Sequence, residues 1–405
     1  MRLDNFFQLI LMILALPVAQ AAGQECAVEE EAEAFKCVLE NEENQRFLSS
    51  WLDSDNGISF QPVYYGEVFS NAHGGIATKD STHYEGLVDL ALSLDFDKMN
   101  LPIPGKAFVL AQNTHGRSLT ANYVGETQIV SNINSLRNIT QISELWWEFS
   151  LFENKVTLRT GKQDLSTEFI TMDMAADFIN SAFSLSPSAG LPSFPAPSPA
   201  VSLLAEFSPA IGFKAGVWDA YRNDGNGAFS QNGSALFIGE LEYRFTTPAK
   251  NLPGKITLGM TYETPGEVPA GIIPRSFGYY IQFEQVLFRE TNSTAENPQG
   301  LSFFAQHYPT NVSGNSPFHT IPEDALAGIT YTGPLRGRDE DVAGAGFGWV
   351  QLKQGGTNEE VMMELFYKAK VNDTLSIQPD LQYIKTPSGI HSDALVVGLR
   401  VQLDL

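Results

Sequence analysis

Two carboxylates and a guanidinium are the first side chains in this sequence with chemistry to offer. Glu144 and Glu148 stand four apart in the run ELWWEFSLFENKVTLRTGKQD (144–164), and Arg159 follows beyond Glu153 and Asn154. Paired carboxylates suit acid-base hydrolysis of a glycoside. On an extended strand, however, four residues cover about 13 Å, which exceeds the spacing either glycosidase geometry uses. Hydrolysis would need carboxylates from other strands. The six histidines, 73, 83, 115, 307, 319 and 391, include no pair at metal-ligand spacing, and no GxSxG elbow is present. Gly344-Ala-Gly-Phe-Gly lacks the strand-turn-helix setting of a dinucleotide loop and reads as a small-residue strand. Asn223-Asp-Gly-Asn-Gly lacks the closing glutamate of a calcium loop and reads as a turn. No catalytic set, metal site or cofactor follows from these residues.

The element that positions Glu148 and Arg159 is a β-hairpin with two unlike faces. Leu145, Trp147, Phe149 and Leu151 alternate with Glu144, Trp146, Glu148 and Ser150, and Val156, Leu158 and Thr160 alternate with Thr157 and Arg159. A two-residue turn at Glu153-Asn154 would pair Leu151 with Val156, Phe149 with Leu158 and Glu148 with Arg159, so that the two apolar faces coincide. Such a hairpin needs a separate solvent for each face.

Composition narrows which solvents are available. The chain has 405 residues and a net charge of −22, from 47 acidic and 25 basic residues, so the basic surface a nucleic-acid binder needs is lacking. Residues 1–21 carry Arg2, an apolar run from Phe6 to Val18 and the small-x-small pattern Ala19-Gln20-Ala21, which reads as a signal peptide, the alternative being an uncleaved anchor. No later stretch is apolar for the ~18 residues a transmembrane helix needs. Residues 22–56 form an acidic segment with helical periodicity; between 25 and 55, ten acids face only Lys36 and Arg46, a balance of −8. Both cysteines, Cys26 and Cys37, lie in it. They are disulfide candidates if the helix breaks between them, because eleven residues of unbroken helix would hold them ~16 Å apart.

From residue 57 to 405 the pattern is strand after strand, many of eight to twelve residues. The candidates are Ile58 to Ser70, Glu85 to Lys98, Lys106 to Asn113, Thr120 to Ile129, the hairpin, Ala205 to Tyr221, and nine more ending with Asp393 to Leu405. Leu241, Tyr243 and Phe245 alternate with Glu240, Glu242 and Arg244, and Leu395 to Leu403 alternate with Gly398, Arg400 and Gln402. Strands of about 9–11 residues with one apolar and one polar face fit a transmembrane barrel, apolar toward lipid and polar toward a lumen. Unpaired backbone amides are intolerable in lipid, so the sheet must close. The expectation is an all-β fold, a transmembrane antiparallel β-barrel of sixteen strands preceded by a short helical segment. Short connections alternate with long ones, and the longest contains the proline-rich run SLSPSAGLPSFPAPSPAVS (184–202), either a linker or a loop folded into the barrel mouth. In such a lumen Glu148 and Arg159 sit near mid-membrane, and Glu144, Trp146 and Trp218 are further pore-lining candidates. The competing reading is a secreted all-β protein that binds or hydrolyses carbohydrate, with the 145/147/149/151 face packed under a second sheet.

Five stretches in order carry a resemblance: ELWWEFSLFENKVTLRTGKQDLSTEF (144–169), FINSAF (178–183), LPGKITLGMTYET (252–264), IPEDALAGITYTGPLRGRDEDVAGAGFG (321–348) and the closing DALVVGLRVQLDL. With them the chain resembles the carbohydrate-selective porin family OprB from about Ile58 onward. The resemblance implies a sixteen-stranded barrel in the outer membrane of a Gram-negative-type bacterium, passing glucose and related small sugars passively through a charged and aromatic constriction. Its partners would be sugars, outer-membrane lipid and the barrel-assembly machinery, with no nucleic acid; monomer and trimer both stay open. The first motif brings Glu148, Arg159, Lys162 and Asp164 forward as pore-lining candidates, and the later motif adds Arg338 and Asp341, for which a structural role in a loop is the alternative. Strict alternation points Lys162 to the lipid face, so a lumen position requires the strand to end or bulge at Gly161. Leu405 departs from the terminal aromatic residue that the assembly machinery reads.

Overall fold

The structure is a computed structural model that describes residues 56–405 except 190–191, 221–233, 269–270, 274, 292, 294–297, 313–320 and 354–355. The residues read as a signal peptide, the acidic stretch with Cys26 and Cys37, and the turn expected at Asn223 lie outside the described residues. Sixteen strands close into one antiparallel barrel in which sequence neighbours pair and β1 joins β16. They are β1 Ile58–Gly75, β2 Thr82–Asp95, β3 Lys106–Gly116, β4 Ile139–Leu151, β5 Val156–Gln163, β6 Ser198–Ser208, β7 Ile211–Asp219 and β8 Ala235–Thr246. There follow β9 Pro253–Glu263, β10 Ser276–Arg289, β11 Gly300–Val312, β12 Glu323–Thr332, β13 Val342–Gln351, β14 Glu359–Lys370, β15 Leu375–Lys385 and β16 Ser392–Asp404. A small hairpin, Gly266–Val268 with Gly271–Ile273, decorates the β9–β10 connection.

The strands face two solvents. Leu145, Leu241, Tyr243, Leu258, Val397 and Leu399 are exposed on the outside, whereas Glu240, Glu242, Gln282, Glu284, Gln382 and Arg400 are buried inside. A soluble two-sheet protein would cover the first set; here Leu145 is 52% exposed and no second sheet packs over it among the described residues. An apolar exterior on a closed sheet is the arrangement lipid requires. By the rule that turns are short on the periplasmic side and loops long on the extracellular side, the turns at 152–155, 209–210 and 371–374 mark the periplasmic end. The connections 117–138 and 164–197 mark the extracellular one.

The hairpin register is the one its alternation implies: Leu151 opposes Val156, Phe149 opposes Leu158 and Glu148 opposes Arg159. Glu153 and Asn154 both adopt positive φ, and Lys155 N–H donates to Phe152 O (3.2 Å), closing a turn whose twist matches the strands. Two expected strands differ from the structure, and the differences offset each other in the count. Residues Thr120–Val124 form a single π-helical turn ended by Gly125 at φ 79°, because Leu119 and Val124 turn inward to join a buried apolar cluster. The run Ala205 to Tyr221 is two strands, β6 and β7, folded back at Pro209-Ala210.

Two compact units are distinguished. In the smaller, whose described residues are 56–60 and 92–106, Gly57 O accepts Asp95 N–H at 2.7 Å and the Asp95 carboxylate reaches Lys98 N–H (3.1 Å) and Lys106 Nζ (3.7 Å). The larger (61–91 and 107–405) holds both in-folded loops, and its apolar core lies inside the barrel. Phe178, Ile179 and Phe183 of the long loop pack on Phe304, Met362 and Phe366 of the wall, together with Leu119 and Val124 of the 117–138 loop. Phe169 and Ile170 pack on Trp218, Ile238 and Tyr280 in a second cluster. The segment Gly344-Ala-Gly-Phe-Gly supplies the bare backbone against which both loops seat. A Cβ at Gly346 would meet Phe178 and Phe183 at 2.5 Å, and one at Gly348 would meet Gln128 at 2.3 Å.

Candidate functional site in the lumen

The loops are seated by the wall's own acids. Ile170 N–H donates to Glu240 (2.7 Å), Met174 N–H to Glu284 (2.8 Å) and Ser188 N–H to Asp324 (2.8 Å), while Thr127 and Gln128 N–H donate to Glu360 (2.8 and 2.7 Å). Buried irregular backbone must find partners or lose about 1–3 kcal/mol per unsatisfied group. Inward-facing carboxylates meet that need, which gives part of the chain's acidity a structural purpose.

What remains facing the lumen is a set of wall cations bridged to loop oxygens. Arg159 on β5 contacts Glu148 of β4 (2.9 Å) and Glu168 of the long loop (2.9 Å), with its guanidinium 3.9 Å from the centre of the Trp146 ring. Lys214 on β7 pairs with Glu242 (2.8 Å) and donates to Glu168 O (2.9 Å). Lys255 on β9 joins Glu284 of β10 and Asp173 of the loop, both at 2.8 Å. Lys368 on β14 pairs with Asp177 of the loop (2.9 Å). Arg400 on β16 contacts Glu67 of β1 and Asn132 of the 117–138 loop. Three loop carboxylates, Glu168, Asp173 and Asp177, thus meet cations from three different strands. Two spaces open beside them: one of about 720 Å³ includes Asp173, Lys214, Arg244 and Lys255, and one of about 450 Å³ includes Asp177, Asn132, Lys368 and Arg400.

The residues singled out from the sequence separate into several environments. Glu148, Arg159 and Trp146 meet on the inner face. Glu144 is buried behind them, accepting from Trp146 Nε1 (3.1 Å) and Asp164 N–H (3.3 Å). Burial alternation slips once on β4, since Ser143 and Glu144 are both buried between the exposed Ile142 and Leu145. Asp164 is a loop organiser: its carboxylate accepts from Ser166 N–H (2.9 Å), Ser193 Oγ (2.6 Å) and Phe194 N–H (2.7 Å). Trp218, 1% exposed, is enclosed under the loop by Phe169 at 5.4 Å and donates to Gln163 O (3.3 Å), so it has no open lumen face. The β4–β5 ladder continues unbroken through Gly161, so Lys162 shares the outer face of Leu145 and donates to Ile142 O (2.7 Å). Its expected lumen position is therefore replaced by a lipid-side one. Arg338 and Asp341 form a clasp on the periplasmic turn 333–341, tied to Tyr367 and to Lys370 N–H (3.0 Å). Burial pushes the Asp341 carboxyl up, but the hydrogen bonds from Tyr367 and Arg338 outweigh it and hold the group below the usual range.

Lys214, Lys255, Lys368, Glu168, Asp173 and Asp177 were not visible as site residues. Lys214 and Lys255 are the sole cations of their strands, and Lys368 is one of five charged residues on β14 with nothing in the pattern to set it apart. The three acids acquire a role only through the loop's path. The one available signal was that each of these lysines lies on the polar parity of its strand.

In the 117–138 loop, Glu126 is nearly fully buried and its pKa is pushed up to about 7, by desolvation first, with opposition from the Thr120 hydroxyl and Val130 N–H and a push upward from Glu360. An exposed glutamate releases its proton near 4.5. Seating of this loop is therefore fully favoured below about pH 4.5 and weakens as pH rises through 7, by roughly 3 kcal/mol. Amide exchange in residues 119–131, corrected for its intrinsic pH dependence, is expected to quicken between pH 5 and pH 8.5 in the wild type. In Glu126→Gln this acceleration should be markedly smaller.

Comparison with known proteins agrees with this architecture. Porin B of Pseudomonas aeruginosa is 24% identical over 413 residues, spanning 86% of this chain and 87% of its own. The high-pH structure of Pseudomonas putida OprB superposes with a TM-score of 0.79 at 20% identity, over 89% of this chain and 97% of that one. The low-pH structure of the same protein gives 0.60 at 19% identity, over 90% and 98%. These likenesses establish the fold, and residues 79–405 match the family described as carbohydrate-selective porin, OprB family. The chain belongs to that family of outer-membrane porins.

Proposed function

We propose that small neutral sugars such as glucose cross this channel passively through the ion-paired zone between the long loop and the wall. The observation that carries the reading is the pairing of Glu168 with Arg159, Asp173 with Lys255 and Asp177 with Lys368. A polyol entering a constriction sheds water and needs replacement donors and acceptors. Paired charges supply both while offsetting each other's field, which favours a neutral solute over an ion. Trp146, stacked between the Arg159 guanidinium and the Phe108 ring, holds that cation in place at the lumen wall. The relative named Porin B and the family's description support the same substrate class. Neither a cofactor nor energy coupling enters this reading.

The test is ion current through single channels in a planar bilayer with glucose added to one side. Occupancy of the ion-paired zone predicts a saturable fall in current with glucose concentration. A current that falls only in proportion to solution viscosity contradicts the reading.

A further inference from the structure

We infer that Glu364, a residue that touches no solute, sets the size limit of the channel by clamping the junction of the two in-folded loops onto β14. The junction is a short zipper. Asn132 N–H donates to Ile179 O (2.8 Å), Ser181 N–H to Ile129 O (2.9 Å), and Asn180 Nδ2 to Gln128 O (3.1 Å) and Gln382 Oε1 (2.9 Å). Glu364 accepts the two consecutive amides at its centre, Ile179 N–H at 2.6 Å and Asn180 N–H at 3.0 Å, one on each carboxyl oxygen. It is 1% exposed, which excludes direct contact with a passing sugar.

The placement of Glu364 on its strand links the clamp to the constriction. Glu360, Glu364 and Lys368 stand four apart on the inner face of β14, with Met362 and Phe366 between them in the apolar cluster. Glu360 holds the 117–138 loop, Glu364 holds the junction, and Lys368 meets Asp177, two residues before the clamped Ile179. The strand's fixed repeat thereby sets the distance between the anchor and the lumen edge of the loop. Asn132, at the other side of the zipper, meets Arg400 across the same 450 Å³ space. Releasing the clamp frees both edges of that space together.

A carboxyl suits this position because it presents two acceptors to two adjacent N–H groups. A glutamine keeps the shape but turns an NH₂ toward one of them. The inference deepens the sugar-channel reading and rests on it for the identity of the solute.

The test compares swelling rates of liposomes holding wild-type, Glu364→Gln or Glu364→Ala protein, in glucose and in a linear glucose trisaccharide. Folded barrel is verified for each by its heat-modifiable migration. The expected result is a trisaccharide-to-glucose ratio at least threefold above wild type in both variants. Asp177→Asn should raise the ratio in the wild-type background and add nothing in Glu364→Ala, since the pair acts as one unit. Folded variants with the wild-type ratio overturn the inference. Failure of both variants to assemble also overturns it, because Glu364 would then serve folding alone. Equal entry of glucose and a neutral amino acid of the same size into wild-type liposomes would refute sugar selectivity instead. It would leave the size limit, read from two sugars, standing.

Discussion

Phe178→Ala is expected to unseat the long loop and widen the channel, raising single-channel conductance severalfold while the barrel still assembles. Phe178 is fully buried and its ring contacts Phe183 at 4.2 Å, Phe366 at 4.9 Å and Phe304 at 5.4 Å between ring centres. Removing a buried phenylalanine costs about 3–5 kcal/mol. Each hydrogen bond that seats the loop contributes only about 0.5–1.5 kcal/mol, or up to about 3 where the acceptor is charged. Loss of this one ring therefore removes as much as one to three of the carboxylate anchors, and Gly346, which has no side chain, offers nothing to fill the gap. The barrel's own ladder between β13 and β14 does not involve the ring and stays paired. Conductance at the wild-type value in a folded variant would show that the loop is held without this cluster.

Arg159→Ala is expected to weaken current block by glucose roughly tenfold, the equivalent of one charge-assisted hydrogen bond of about 1.4 kcal/mol. It should also shift ion selectivity toward cations. Arg159 neutralises Glu148 and Glu168 together, and its removal leaves two facing carboxylates, each at the lumen and only partly buried, with water in its place. Trp146 simultaneously loses the guanidinium stacked on it. Glu148→Ala is expected to act more weakly, since Arg159 keeps Glu168. Unchanged glucose block and reversal potential in Arg159→Ala would make the cluster a structural tie between loop and wall.

How much of this was legible in the sequence depends on which half of a strand is considered. Toward the periplasmic end, alternation is clean: Glu240, Glu242 and Arg244 against Leu241, Tyr243 and Phe245 give both the barrel and the direction of each face. Toward the extracellular end, both faces turn apolar. Leu236 and Ile238 face inward beside the outward Phe237, and Val396 faces inward beside Val397. That doubling is what an in-folded loop requires, because its own apolar residues need an apolar wall, and period-two reasoning alone cannot tell such a wall from a second lipid face. The same ambiguity makes Thr120 to Ile129 read as a strand, and alternation cannot show that the inward Trp218 lies covered by Phe169 of the loop. Lys162 shows the reverse case: strict alternation placed it on the lipid side, and the ladder through Gly161 agrees, against the position its motif suggested. The ion pairs of the long loop were illegible because Glu168, Asp173 and Asp177 reach their cations only through the loop's tertiary path.

The central claim, selectivity for neutral sugars conferred by paired charges, is tested most directly by swelling of liposomes containing the purified protein. Glucose would be compared with a zwitterionic amino acid and a monovalent sugar acid of similar size. The account predicts that glucose enters several times faster than either, and that the margin collapses in Arg159→Ala. Equal rates for all three solutes through the wild-type channel would contradict it.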